Sequence, residues 1–80
     1  MYKVETFIDG ELSTIKLLNA EKVIQSVRET LEDEHLSVFN IGVVGDHAEA
    51  VAALEIGEDL YEYVYYKLPR QELICLLERF

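Results

Sequence analysis

The stretch GDHAEAVAALEIG, residues 45–57, decides the fold, because it fits two kinds of secondary structure. As a helix it would have Asp46 as its N-cap, Glu49 completing a capping box and Gly57 as its stop signal. As a strand over 47–56 it would alternate, with one wholly apolar face made of Ala48, Ala50, Ala52, Leu54 and Ile56. Glycine-containing turns would bound this strand on both sides, so the strand is favoured and the helix is the alternative.

Strand signals lie on both sides of this stretch. The run 36–44 is rich in β-branched and aromatic residues and predicts a central strand, and 60–67 predicts the next strand. Near the N-terminus, an Asp-Gly dipeptide between two apolar runs predicts a hairpin with strands at 2–8 and 11–17. Together these patterns favour an antiparallel sheet.

Helical spacing of apolar residues is predicted in two places. It extends over 20–34, directly after the N-cap candidate Asn19. A second helix would begin at Pro69, with an apolar stripe made of Leu73, Leu76, Leu77 and Phe80. The predicted fold is therefore α+β, a two-layer domain of order ββαβββα with both helices packed on one face of the sheet. If 47–56 is helical, the order becomes ββαβαβα.

Length and composition favour one folded domain spanning residues 1–80. Half of the 80 residues are hydrophobic and 29% are charged, which is typical of a globular chain rather than a disordered one. The longest apolar runs, 50–54 and 73–77, are too short to cross a bilayer, and we expect neither a signal peptide nor a membrane span. The single cysteine, Cys75, cannot form an internal disulfide, which favours a reducing compartment and a cytoplasmic location.

The formal net charge of -9 is concentrated in the middle of the chain. Residues 29–66 contain ten acidic residues and neither lysine nor arginine. Phosphate backbones attract lysine and arginine, so this block argues against direct binding of nucleic acid or of anionic membranes. It would instead attract a basic surface of another protein, or it serves solubility alone. The ten acids are Glu29, Glu32, Asp33, Glu34, Asp46, Glu49, Glu55, Glu58, Asp59 and Glu62.

Four of these acids are predicted in the last turn of the first helix, where the negative end of the helix dipole disfavours them. Each would cost about 0.3–1 kcal/mol at most when exposed. Helix stability therefore does not explain these acids. They reflect either selection for a negative surface or sequence drift on a solvated face. The four are Glu29, Glu32, Asp33 and Glu34.

Four tyrosines lie within 60–67. Strand alternation places Tyr61, Tyr63 and Tyr65 on one face with Lys67. These phenols form either a core layer whose hydroxyls reach the rim or an exposed set of anchors for a partner, rimmed by neighbouring acids. The opposite face of the same strand is predicted to hold Leu60, Glu62, Val64, Tyr66 and Leu68.

Residues with catalytic or metal-binding chemistry are sparse. Cys75 has no activating neighbour and is predicted late in a helix, where the dipole raises the pKa of a thiol. His35 and His47 are two loop histidines, fewer than the ligands of a zinc site. The sequence IGVVG at 41–45 is not followed by the lysine of a phosphate-binding loop. We therefore expect no enzymatic activity, no metal and no cofactor.

The remaining hypothesis is a non-enzymatic acidic inhibitor that occludes a basic, nucleic-acid-binding surface of a partner protein. Duplex DNA has about one charge per 1.7 Å, so ten carboxylates could imitate only roughly 17 Å of it. In size, charge and lack of catalytic residues, the chain is similar in character to the small acidic inhibitors of phages and mobile elements, anti-CRISPR proteins among them. The predicted partner-binding residues are Glu29, Glu32, Asp33, Glu34, Glu55, Glu58, Asp59, Glu62, Tyr61, Tyr63 and Tyr65.

Two further expectations concern this binding. Neutralising Glu55, Glu58, Asp59 and Glu62 should weaken it more than neutralising Glu5, Glu11 and Glu21. The alternative function is a structural or regulatory module that forms a homodimer through its sheet edge or open face, with the charge serving solubility only.

Overall fold

A computed structural model describes residues 1–69 and residue 78 of the chain. In this part there are five strands and one helix, in the order ββαβββ. The elements are β1 (Tyr2–Ile8), β2 (Glu11–Leu18), α1 (Ala20–Leu31), β3 (Leu36–Val44), β4 (His47–Ile56) and β5 (Asp59–Pro69).

The five strands form one sheet of order β2-β1-β5-β4-β3, in which every neighbouring pair is antiparallel. Helix α1 packs on one side of this sheet, which we call the helix face, and we call the other side the open face. The α+β class and the antiparallel sheet are thus confirmed. The second predicted helix falls on residues outside the described part, except for Pro69, which is the last residue of β5 and not the start of a helix.

Residues 47–56 form a strand, as the alternation predicts, and the helical alternative is wrong. Ala48, Ala50, Ala52 and Leu54 are buried on the helix face. Two-residue turns bound β4, and Gly45 and Gly57 adopt positive φ angles of 62° and 64° there. Glycine adopts this conformation without steric cost, so the two turns are encoded locally.

The prediction that 36–44 is a central strand is wrong, because β3 lies at one edge of the described sheet. The centre is occupied by β5, which pairs with β4 on one side and β1 on the other. Val38 and Val43 remain exposed on β3. Strand propensity measures how well a side chain suits a pleated surface, and it does not report which strands become neighbours.

Helix α1 begins as predicted but ends three residues earlier. The Asn19 side chain accepts a hydrogen bond from the Lys22 amide at 2.8 Å. At the other end Glu32 is the C-cap, and the Asp33 carboxylate accepts a hydrogen bond from the His35 amide at 2.8 Å. This competing local bond favours a turn over another helical turn. Only Glu29 of the four predicted last-turn acids therefore lies within the helix.

The core joins α1 to the middle of the sheet. Val23 and Val27 of the helix are fully buried in one cluster with Val4 and Tyr65. The Tyr65 hydroxyl lies 3.0 Å from the hydroxyls of both Ser26 and Thr30, so it ties the central strand to the helix. Every buried side-chain polar atom in residues 1–69 has a hydrogen-bond partner.

A β-bulge interrupts β5 at Tyr66–Lys67. Ala50 pairs with Tyr65 but Ala48 pairs with Leu68, so β5 has one more residue than β4 across this interval. Lys67 has a φ of 51°, the left-handed conformation that bulges use. The bulge reverses the alternation, so Leu68 is fully buried with the core cluster. The predictions that Leu68 shares a face with Val64 and that Lys67 continues the tyrosine face are therefore wrong.

Candidate functional site

Three chain segments that are far apart in sequence meet at one end of the sheet. They are the β1–β2 turn with the first residue of β2 (9–11), the segment between α1 and β3 (32–35), and the β4–β5 connection (55–59). Antiparallel pairing brings the end of each strand beside the start of its neighbour, so these segments lie side by side. We call this region the acidic end.

Hydrogen bonds donated by backbone amides connect the three segments, either directly or through Leu60, the residue after 55–59. The Asp9 amide donates to the Leu60 carbonyl, and the Leu60 amide donates to the Asp9 carboxylate, both at 2.8 Å. The Glu55 amide donates to the His35 carbonyl at 3.0 Å. The acidic end is therefore a constructed surface, with its segments held in register by the sheet and by these contacts.

The acidic end contains eight carboxylates and neither lysine nor arginine. Five strands spaced about 4.8 Å apart make the sheet about 19 Å wide, which gives roughly one charge per 2.4 Å. This linear density is about two thirds of that of duplex DNA, which has one charge per 1.7 Å. The eight residues are Asp9, Glu11, Glu32, Asp33, Glu34, Glu55, Glu58 and Asp59.

Six of the eight acids that the sequence nominated belong to this end: Glu32, Asp33, Glu34, Glu55, Glu58 and Asp59. Glu62 lies further along β5, on the open face. Glu29 lies on α1, where its carboxylate accepts a hydrogen bond from the Gln25 side chain at 3.2 Å. The sequence therefore identified six of the eight acidic residues, whereas their assembly at one end is shown only by the fold.

Asp9 and Glu11 were missed, because residues 1–28 have no net charge when they are counted along the chain. The Asp-Gly turn was a sufficient signal for the hairpin itself. Nothing in it indicated that β1 pairs with β5, the contact that brings this turn beside 55–59. The missed residues thus depend on a long-range pairing.

Three of the four lysines in residues 1–69 lie away from the acidic end, and the fourth, Lys16, lines a cleft together with Asp33. Lys22 is in the first turn of α1, and Lys67 lies near the last residue of β5. Lys3 and Lys16 are in the corresponding half of the β1–β2 hairpin. Arg28, the one arginine within residues 1–69, is in the last turn of α1 and adjoins the acidic end. The described molecule is electrostatically asymmetric, because eight of the fourteen acidic residues in 1–69 lie at one end.

Two carboxyl groups of the acidic end interact directly. A side-chain hydrogen bond with Asp9 raises the pKa of the Asp59 carboxyl, and the negative charge of Asp9 raises it further. Asp9 has a left-handed φ of 51° in its turn and is fixed by its contacts with Leu60, so it cannot easily move away. The negative charge of Asp9 therefore opposes ionisation of the Asp59 carboxyl.

Replacing Asp59 with asparagine is expected to raise the melting temperature at pH 7. A carboxyl with a raised folded-state pKa binds its proton more tightly in the folded than in the unfolded protein. Stability is therefore lost as the pH rises from the ordinary pKa of aspartate, about 3.9, through the raised pKa of Asp59 in the folded protein. Asp59→Asn should flatten this part of the melting temperature–pH curve, which calorimetry between pH 3 and 7 measures. Glu58→Gln, in the same connection, is the control, and equal curves for both variants would contradict the pairing.

The three predicted tyrosines lie on the helix face, where Tyr65 belongs to the core cluster and Tyr63 packs against it. Tyr65 is fully buried, so the prediction of an accessible anchor is wrong for this residue. Tyr61 and Tyr63 are half-buried. Burial raises the pKa of the Tyr63 phenol, and the neighbouring Tyr65, Asp33 and Tyr61 add to this shift.

An open, polar cleft of about 350 Å³ lies between α1 and the β1–β2 hairpin. Asp33, Thr30 and Tyr63 line it beside Lys16. Hydroxyl, carboxylate and ammonium groups all face this cleft, so it is hydrated surface adjoining the acidic end.

The histidines make only local contacts with acids. His35 Nε2 lies 3.5 Å from Glu34 Oε1, and His47 Nδ1 lies 3.4 Å from Asp46 Oδ1. Among residues 1–69 and 78, no group of three or more His, Cys, Asp or Glu side chains could hold a metal ion. Cys75 lies outside the described residues.

The fold and the acidic end define a small α+β protein with a strongly polarised charge distribution. Comparison with protein-family models, curated proteins and solved structures found no match to this chain. The described helix is too short and too polar to cross a membrane. A functional proposal therefore depends on geometry and charge.

Proposed function

We propose that this protein is a non-enzymatic inhibitor whose acidic end occupies a basic, nucleic-acid-binding surface of a partner protein. The observation that supports the proposal is the assembly of eight carboxylates at one end, from three separate segments that contain neither lysine nor arginine. Proteins that hold nucleic acid present lysine and arginine at the spacing of phosphates, which such an end complements.

The charge asymmetry also supports a defined orientation of binding. Lysines in the far half of the sheet are repelled by a basic partner while the acidic end is attracted, so encounter is steered toward one pose. An end about 19 Å wide covers the space of roughly eleven phosphate charges on a duplex. The mode of action is then occlusion of a short stretch of the partner's groove, as in anti-CRISPR-like and partial DNA-mimic inhibitors, in the cytoplasm.

Two matched variants test this proposal. Glu34→Gln/Glu58→Gln removes two charges from the acidic end, and Glu21→Gln/Asp46→Asn removes two charges from the opposite end. The native protein and both variants are used to capture proteins from a nuclease-treated bacterial lysate and are eluted with increasing salt. A captured protein is then tested for loss of binding to a labelled oligonucleotide when the native protein is added.

We expect the acidic-end variant to bind the captured protein at least about tenfold more weakly and to reduce the salt dependence by about two charges. The opposite-end variant should behave like the native protein. Glu11, which the sequence suggested as a control position, is unsuitable because it belongs to the acidic end. Equal weakening by both variants, or a captured protein that still binds its oligonucleotide, would refute the proposal.

A further inference from the structure

The open face of the sheet is unusually apolar for an exposed surface. Six large apolar side chains that are more than one-third exposed lie on it. Leu17 of the edge strand β2 is 62% exposed. The six are Leu12, Ile15, Leu17, Val38, Val51 and Leu60.

Strand register shows which side chains are neighbours on the open face, where apolar residues alternate with single glutamates. Residues paired directly across antiparallel strands point to the same face, so each row of partners forms a band across the sheet. Two bands cross all five strands. The first consists of Leu12, Phe7, Glu62, Ala53 and Val38, and the second of Ile15, Glu5, Val64, Val51 and Asn40.

The charge on the open face is negative. Its one lysine among the paired residues, Lys3, has its ammonium 4.4 Å from the centre of the Tyr66 ring. A hydrogen bond with Glu5 raises the pKa of the Tyr66 phenol, with burial and the charges of Glu5 and Glu49 adding to the shift. The open-face carboxylates are Glu5, Glu49, Glu55 and Glu62.

We propose that the open face is the second half of the partner site and accepts the apolar face of a basic amphipathic helix of the partner. This inference rests on the proposed function, since it assumes the same basic partner. A helix is about 10–12 Å across, and β2 lies about 10 Å from β5. A helix whose apolar side contacts Ile15 and Leu17 therefore reaches Glu62 with its flanking lysines and arginines.

Continuity with the acidic end supports the same occupant. Glu55 belongs to the acidic end and to the open face, and its pairing partner Leu60 is one of the exposed apolar residues. A partner surface that covers the acidic end therefore also contacts the adjoining apolar side chains of the open face. The acidic end gives the long-range attraction, and the exposed apolar side chains of the open face give area that can be removed from water.

A second copy of this chain is a poor occupant of the open face. Face-to-face association would bring two sets of four carboxylates together, and Lys3 and the neighbouring Lys67 of each copy would offset only half of them. Removing such groups from water without counter-charges is costly. Charge complementarity therefore selects a basic partner over self-association.

The experiment uses two synthetic peptides of eighteen residues as probes. One is an amphipathic helix of leucine and lysine, and the other has serine in place of every leucine. Binding of the full chain is measured by fluorescence anisotropy. The variant Leu12→Thr/Ile15→Thr/Leu17→Thr removes apolar area while keeping good strand formers. Val43→Thr is the control, because Val43 is exposed and outside the acidic end but lies on the helix-face side of its strand, where it pairs with Ala48.

We expect the triple variant to bind the leucine–lysine peptide at least about tenfold more weakly than the native protein, a loss of about 1.4 kcal/mol. The control variant should bind this peptide as the native protein does. The serine–lysine peptide should have the same affinity for the native protein, the triple variant and the control variant. Thermal melts establish that each variant folds, and Leu17→Thr alone replaces the triple variant if that one does not.

Undiminished binding of the leucine–lysine peptide by a folded open-face variant would overturn the inference. So would a native dimer in sedimentation equilibrium that the triple variant dissociates, because the occupant would then be a second copy. Failure of the proposed function has a different signature. In that case Glu34→Gln/Glu58→Gln captures the same proteins as the native chain, whatever the open-face variant does.

Discussion

Replacing Leu68 with alanine is expected to lower the free energy of unfolding by about 2–5 kcal/mol, the cost of truncating a fully buried leucine. Leu68 is completely enclosed in the core cluster, although strand alternation along β5 assigns it to the opposite face. The β-bulge at Tyr66–Lys67 is the reason for this difference. Equilibrium unfolding in urea, followed by circular dichroism, measures the loss.

Leu60→Ala is the matched control for this prediction. Leu60 lies on the same strand but is 37% exposed on the open face. Its truncation removes less buried area and leaves no enclosed cavity, so the expected loss is below about 1.5 kcal/mol. Comparable losses for the two variants would show that Leu68 does not point into the core and that β5 alternates without a bulge.

Tyr65→Phe is expected to lower the free energy of unfolding by about 1–3 kcal/mol, because it removes the shared partner of two hydroxyls. Tyr65 is fully buried, and its hydroxyl lies 3.0 Å from the hydroxyls of Ser26 and Thr30. The ring itself stays, so the change isolates the hydrogen bonds from the packing. Urea unfolding again measures the loss, and Tyr63→Phe, on the same face but only half-buried, should cost less.

A double-mutant cycle with Thr30→Val tests whether these hydroxyls form a network. Leaving one buried polar group without a partner costs more than replacing both partners with apolar groups. Tyr65→Phe in the Thr30→Val background should therefore be less damaging than in the native protein, with a coupling of about 0.5 kcal/mol or more. Strict additivity would mean that the two hydroxyls act independently and that the network is not what joins α1 to β5.

Many elements of the fold were predictable because their signals are local. The Asp9-Gly10 turn and the glycines at Gly45 and Gly57 mark the ends of hairpin strands, and each adopts the positive φ that such turns need. Asn19 caps α1 through a hydrogen bond from the amide of Lys22, which is only three residues further along the chain. The alternation in β4 survives in the structure because both of its neighbours are antiparallel and its buried face is uninterrupted over 48–54.

The acidic end was predictable only in part. Glu55, Glu58 and Asp59 are close in sequence, so a count along the chain finds them. Asp9 joins them through the pairing of β1 with β5, two strands separated by the 50 residues 9–58. A sequence window has no access to such a pairing, because a strand's composition is similar whichever neighbour it acquires.

The sequence by itself determined the α+β class, the turns, the capped helix and the concentration of acids between residues 29 and 66. These features follow from backbone preferences, side-chain period and charge count within short windows of chain. Only the tertiary structure decided that β5 is central, that Leu68 turns inward and that six exposed apolar side chains lie on the face opposite the helix. The physical reason is that strand order, bulges and shared faces result from contacts between distant residues, whose energies depend on the whole packed sheet.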